Sequence, residues 1–217
     1  MTISDRTVAI IGSGNIGSTL AADFAAGGQD FVLAGRDADA ARKIAADLGG
    51  QAEVVSVDEA VRRAGVLVLA VWFDVFQQLI AQYGERLAGK VIVDPTNAVG
   101  PDGAGGYKKI IGEQESSGQI LAGLLPAGAR LVKAFGTLSA PTLAAVARRE
   151  PERAVLFYAA DDPAAGDLVA ELISTAGYEP VRVGGLDQSI RIEMFGDLHE
   201  YGALGRVVTK SEALEAI

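Results

Sequence analysis

The sequence has no cysteine, one histidine, one tryptophan and two methionines among its 217 residues. Without cysteine there is no disulfide, no thiolate metal site and no thiol nucleophile. A lone histidine leaves little beyond carboxylates to bind a metal, so no metal site is expected. No apolar run reaches the ~20 residues that cross a bilayer. The opening "MTISDRTVAIIGSG" also lacks the charged-then-apolar order of an export signal. Positive charge is scarce: 19 basic against 28 acidic residues give a formal charge of -9. That balance argues against nonspecific nucleic-acid binding, and it means local donors must hold any anionic ligand. The expectation is a cytoplasmic protein that meets neither nucleic acid nor membrane.

Glycine, by contrast, is abundant at 27 residues, which suits a chain with many tight strand-to-helix turns. Apolar runs at 7–11, 30–34, 52–56, 66–71 and 90–94 read as strands. Amphipathic stretches at 15–26, 37–49, 59–63 and 73–87 read as the helices between them, with Asp58 as a cap for the third. Residues 95–119 are polar and glycine-rich and read as a loop that covers a ligand, leading into a helix at about 115–124. A sixth strand follows at 130–135, and then a helix with Pro141 in its first turn. A further strand-helix-strand unit spans 153–184, and the tail from Asp187 to about Ala216 reads as mostly helix. The alternation predicts an α/β chain with a doubly wound, mainly parallel sheet, a small C-terminal α/β extension and a long terminal helix. No linker is visible. A single domain is expected over 1–217, with a core at 1–135 and the extension at 136–217.

"GSGNIG" at 12–17 follows the first strand and opens the first helix. Gly12 permits the tight turn, Gly14 lets backbone approach a pyrophosphate, and Gly17 lets helix and sheet pack closely. The helix start, from Asn15 and Ile16 on, offers free N–H groups to phosphate. Ser13 and Asn15 either line the phosphates or only cap the helix. The second strand ends in "AGRD". Gly35 stands where an acidic residue would grip a ribose diol, and Arg36 follows. A guanidinium there suits a 2'-phosphate, which favours NADP over NAD. Arg42 or Lys43 assists from the next helix turn, or Arg36 merely pairs with Asp37 or Asp39.

Ligands of such sheets lie beyond the carboxyl ends of the strands. Val71, Trp72 and Phe73 end the fourth strand and are expected to line the nicotinamide and its partner. Trp72 stacks on a flat ligand or is ordinary core. Thr96 and Asn97 donate to the carboxamide or ribose, or Pro95 and Asn97 only make a turn. Ala134, Phe135, Gly136 and Thr137 end the sixth strand at the same crevice. The expected cofactor contacts thus include Val71, Trp72, Asn97, Ala134 and Phe135; the expected substrate pocket is Trp72, Phe73, Gly136 and Thr137. Lys133 is either a base or a snorkelling side chain. His199, beside Asp197 and Glu200 on the expected terminal helix, is assigned to the surface or an interface, with a proton relay as the alternative. No catalytic acid or base is assigned, because hydride transfer between stacked rings needs little of either.

These residues resemble the NADP oxidoreductase family that depends on coenzyme F420, a deazaflavin carrier of hydride. The likeness rests on "IGSGNIG", "AGRD", "VLAVWFD", "VIVDPTN", "LVKAFGTLSA", "AADDPAAGDLVAELISTAGYEPVRVGGL" and "IEMFG", which appear in family order. The resemblance implies a Rossmann domain, hydride exchange between NADP(H) and F420 or a similar planar acceptor such as a flavin, and a homodimer built partly from C-terminal helices. It departs at Gly136-Thr137, where members active on F420 often carry His-Thr or Asn-Thr. Two other functions compete: an NADP(H) sensor without turnover, and a reductase of a small carbonyl or imine substrate.

Overall fold

The structure, a computed structural model, describes residues 2, 3 and 6–217. The chain runs β1 (Val8–Ile11), α1 (Asn15–Ala26), β2 (Phe31–Ala34), α2 (Ala38–Asp47), β3 (Ala52–Val54), α3 (Val57–Arg63), β4 (Val66–Leu69), α4 (Phe73–Tyr83) and β5 (Val91–Asp94). It continues through β6 (Val99–Pro101), β7 (Tyr107–Lys109), α5 (Ser117–Leu124), β8 (Arg130–Lys133), α6 (Ala140–Val146), β9 (Val155–Ala160), α7 (Pro163–Thr175), β10 (Glu179–Gly184), α8 (Ser189–Ile192) and α9 (Lys210–Ala216). Eight strands form one sheet in the order β10-β9-β8-β5-β4-β1-β2-β3. Every pairing in it is parallel except β8 with β9.

The apolar runs of β1, β2, β4 and β5 are buried along their whole length. Helices cover both faces, so every side chain needs an apolar partner. Alternate residues serve opposite cores. Val8, Ile10, Leu33, Val66, Val68 and Val93 face one; Ala9, Ile11, Val32, Leu67, Leu69 and Ile92 face the other. A third cluster forms where Val155, Phe157 and Val181 of β9 and β10 meet Ile192, Leu198, Val208 and Ala213 of the tail. At ~1.5–3 kcal/mol for each fully buried large aliphatic or phenyl side chain, this cluster anchors the tail.

Three sequence expectations need correction. The helix α3 is capped by Ser56, whose Oγ accepts from the Glu59 amide at 3.1 Å. Asp58 instead pairs with Arg86 at 2.6 Å. The stretch read as a loop contains the antiparallel pair β6–β7. Its turn is organised by the Asp102 carboxylate, which accepts from the amides of Ala104 and Gly106 at 2.7 and 2.9 Å. The tail is mostly turns between Ile192 and Lys210. Close backbone packing explains this: a Cβ on Gly202 would sit 1.7 Å from Gly196 O. Among the described residues no helix is long and apolar enough to cross a membrane.

One buried cluster makes stability depend on pH. Tyr178 Oη lies 2.7 Å from Asp23 Oδ2 and 2.8 Å from Leu143 O. A phenol has one hydrogen for these two acceptors, so a protonated Asp23 completes the set. Burial pushes the Asp23 carboxyl up to about 6, against the Tyr178 bond and the Arg148 charge. A raised folded pKa means that this contribution is full below the unfolded value near 4 and is lost as pH rises through 6.

Candidate active site

The strand order reverses between β1 and β4, and the turns after these strands touch. Gly12 has φ 126°, and a Cβ on it would lie 2.1 Å from Ala70 O. A Cβ on Gly17 would lie 2.0 Å from Gly12 O. The polypeptide itself therefore requires both glycines. Gly14 differs. It is the N-cap of α1, with φ -80° and ψ -169°, and a Cβ there would meet nothing within 4 Å. No side chain caps α1 and no acidic residue stands in its first turn. An uncapped helix start beside an open ledge presents amide donors and the positive end of the helix dipole. Asn15 is exposed and Ile16 half-buried.

The end of β2 abuts this turn: a Cβ on Gly35 would lie 3.1 Å from Ser13 Oγ. Arg36 is exposed. Neither neighbouring aspartate neutralises it. Asp37 caps α2 by accepting from the amides of Asp39 and Ala40 at 3.0 Å. Asp39 pairs with Arg42 at 2.6 Å. Among the described residues Arg36 has no ion pair.

After β4, Val71 is half-buried against Gly12. Trp72 is the N-cap of α4 and is 59% exposed, so it is not ordinary core. Phe73 is buried in the core with Phe76 and Ile80, where the first turn of α4 directs it inward, which corrects its assignment to the substrate pocket. Ala134 and Phe135 are likewise buried in the opposite core. Phe135 meets Phe24 edge-on at 6.0 Å, so only the backbone at 134–135 remains for a ligand.

The polar residues after β5 and β8 serve one another. Thr96 donates its amide and hydroxyl to Asp94 Oδ1 at 2.8 and 2.7 Å, which removes its hydroxyl from ligand binding. Lys133 is buried, neither snorkelling nor free to act as a base. Its ammonium donates to Asp94 Oδ2 at 2.9 Å, to Ser117 Oγ at 3.1 Å and to Thr96 O. Those three acceptors use all its hydrogens. Asn97 Nδ2 donates to Gly136 O at 3.0 Å, while its Oδ1 accepts from the Met194 amide at 2.7 Å. Asn97 thus ties the tail to the ends of both strands. Thr137 is buried, and among the described residues its hydroxyl has no partner.

Two tail residues complete this floor: Glu193, which was not singled out from sequence, and His199, which was singled out but assigned to the surface or an interface. Glu193 accepts from Ser116 Oγ and from the amides of Ser117 and Gly118 at 2.7–3.0 Å, holding the start of α5. Burial would raise its carboxyl, but the Lys133 charge and these hydrogen bonds hold it below the usual range. Only a fold can bring residue 193 to residue 117, so local pattern carried no signal. His199 is 2% exposed and lies in a turn. This overturns its surface assignment and its placement on a terminal helix. Its Nδ1 accepts from the Tyr201 amide at 2.9 Å.

Burial pushes the His199 imidazole down to about 4, with a smaller contribution from Lys133, against Glu200 and a Gly136 backbone bond. A depressed folded pKa means that its stabilisation is present above the unfolded value near 6.5 and is lost as pH falls through 4. His199 and Asp23 therefore oppose each other between pH 4 and 6, each worth about 3 kcal/mol over its full shift. Relative to the wild type, His199→Gln should gain stability on going from pH 6.5 to 4.5. Asp23→Asn should lose it over the same range. Urea midpoints at the two pH values check both signs.

A glycine turn at the switch point of a doubly wound sheet, beside an unpaired arginine at the end of β2, is the arrangement of an NADP(H)-dependent oxidoreductase. Comparisons with known proteins agree. A family model described as "NADP oxidoreductase coenzyme F420-dependent" matches residues 7–98. An F420-dependent NADP reductase of Methanothermobacter thermautotrophicus is 29% identical over 198 residues, covering 86% of this chain and 84% of that protein. The crystal structure of a hypothetical protein from Sinorhizobium meliloti superposes with TM-score 0.82 at 31% identity, covering 97% of this chain and 96% of the other. A candidate F420-dependent NADP-reductase from Arthrobacter sp. FB24 shares the fold, with TM-score 0.71, 22% identity and coverage of 84% and 86%. Residues 7–98 thus match the coenzyme F420-dependent NADP oxidoreductase family, and most of the chain is similar to proteins described in its terms.

Proposed function

We propose that this oxidoreductase exchanges a hydride between NADP(H) and a planar acceptor, coenzyme F420 or a flavin. The observation that carries the reading is what the ends of β5 and β8 leave available. Asp94, Thr96 and Lys133 are buried and engaged with one another, and His199 is buried and held neutral. No proton relay is presented there, while the Trp72 indole stands 59% exposed. Such a site stacks rings and excludes water rather than moving protons. The chemistry supplied is a hydride with its electron pair from the reduced nicotinamide, taken up by the acceptor with one solvent proton where the acceptor's reduced form needs it.

In this reading the 12–17 turn, from Gly12 to Gly17, holds the diphosphate. Gly14 gives room, and the amides of Asn15, Ile16 and Gly17 donate. Gly35 and Arg36 take the 2'-phosphate. Val71, Trp72, Asn97 and the backbone at Ala134 and Phe135 border the nicotinamide, and the Gly136–Thr137 turn borders the acceptor. The exposed Leu214 and Ile217 on and after α9 support pairing of two copies through their C-terminal helices.

The test is to follow NADPH oxidation by the purified protein with F420, FMN, a quinone or no added acceptor. Oxidation dependent on F420 or FMN is expected. A flat trace with every acceptor, despite tight NADPH binding, would favour a sensor without turnover.

A further inference from the structure

Phe195 has φ 73°, a backbone conformation that bulky L-residues rarely adopt. Its neighbours impose it. The Met194 amide donates to Asn97 Oδ1 at 2.7 Å. The Gly196 amide donates to Glu193 O at 2.7 Å. A Cβ on Gly196 would come within 2.3 Å of Ile190 O and 2.4 Å of Arg191 O, so the turn cannot rotate to relax residue 195. Despite this, Phe195 is 49% exposed. A glycine would adopt the same backbone without penalty, and burial gives the ring little in return. The fold alone therefore explains the turn but not the ring.

The location suggests what the ring meets. Asn97 fastens the Phe195 turn to the loop after β5, and through Gly136 O to the turn after β8. Trp72, a second large exposed aromatic residue, follows β4, the sheet neighbour of β5. We infer that Phe195 is a specificity-determining residue, whose rigidly held ring stacks on the planar acceptor and forms a wall of the acceptor subsite with Trp72. This rests on the reading that a flat acceptor meets the coenzyme at this edge. The strained turn then serves a purpose: it fixes the ring in advance, so little freedom is lost when the acceptor arrives.

The test compares wild type with Phe195→Gly and Phe195→Tyr. F420 and FMN are the probes, with two readouts: NADPH oxidation and quenching of emission from Trp72, the only tryptophan. For Phe195→Gly the expected KM for the acceptor rises about tenfold, as for loss of one stacking platform. The quenching midpoint should shift by the same factor, with kcat and the KM for NADPH nearly unchanged. Its Tm should not fall, because glycine relieves the backbone. Phe195→Tyr should restore acceptor binding. An unchanged acceptor KM and quenching midpoint in Phe195→Gly overturn the inference. So does a loss of dimer mass on sedimentation with acceptor binding intact, which would make Phe195 a contact between copies. If wild type neither turns over nor binds F420 or FMN, the functional reading falls and this inference falls with it. If wild type does so and Phe195→Gly matches it, only the role of Phe195 falls.

Discussion

Replacing Arg36 by aspartate should weaken NADPH binding about 100-fold while leaving NADH within about threefold. The size follows from two losses. Charge-assisted hydrogen bonds to a phosphate are worth about 1.5–3 kcal/mol, and 1.4 kcal/mol is a tenfold change in affinity. A carboxylate near the same phosphate adds repulsion. The direction follows from the neighbours of Arg36. Asp37 is committed to capping α2 and Asp39 to Arg42, so neither draws the guanidinium away. Arg36 is exposed, and its replacement should leave the fold intact. Calorimetric titration with each nucleotide checks the ratio. Equal loss for NADPH and NADH would remove Arg36 from the phosphate site.

Lys133→Met should produce the largest loss of stability, about 3–5 kcal/mol, the range for breaking one side of a buried ion pair. The pair is fully interior: Lys133 and Asp94 side chains are 1% and 0% exposed. Removing the ammonium leaves the Asp94 carboxylate facing protein, with only Thr96 to bond it. It also frees Ser117 Oγ and Thr96 O. Asp94→Asn combined with Lys133→Met should recover part of the loss, because the Asp94 charge is then gone while Glu193 loses only the Lys133 charge and keeps its hydrogen bonds to Ser116, Ser117 and Gly118. Urea unfolding of the single and double variants measures this. A single variant as stable as wild type would contradict the buried pair. The same geometry explains why Lys133 is not assigned as a base: its hydrogens are already shared among three acceptors.

How far the sequence foretold this depends on how local each feature is. The helix read at 15–26 is α1 with the same bounds, because a glycine turn before it, an apolar face within it and a glycine stop after it are all local. The strands at the sheet centre were legible for a similar reason, as short apolar runs, those of β1, β2 and β5 ended by glycine or aspartate. The β6–β7 hairpin was not, since three-residue strands containing Gly100 and Pro101 have no readable period. The antiparallel β8–β9 pairing was equally hidden, because direction within a sheet is set by how the intervening chain packs. At the site, Gly12 and Gly17 could be read from spacing alone. The fates of Thr96, Asn97, Lys133 and His199 could not. Lys133 and Asn97 depend on partners 16 to 97 residues away, as with Lys133 to Ser117 and Asn97 to Met194, and His199 on tail packing. The partner of the Thr96 hydroxyl, Asp94, is only two residues away, but local pattern does not fix that bond.

The central claim is that a diphosphate rests on the open ledge at Gly14, against the first amides of α1. Gly14→Val tests it most directly. Nothing lies within 4 Å of the position a Cβ would take, and the backbone there is extended, so the protein alone tolerates a side chain. A folded variant is expected, destabilised by no more than about 1 kcal/mol for a poorer N-cap, whose NADPH affinity falls at least about 30-fold, or roughly 2 kcal/mol. A well-folded Gly14→Val protein that binds NADPH as tightly as wild type would place the coenzyme elsewhere.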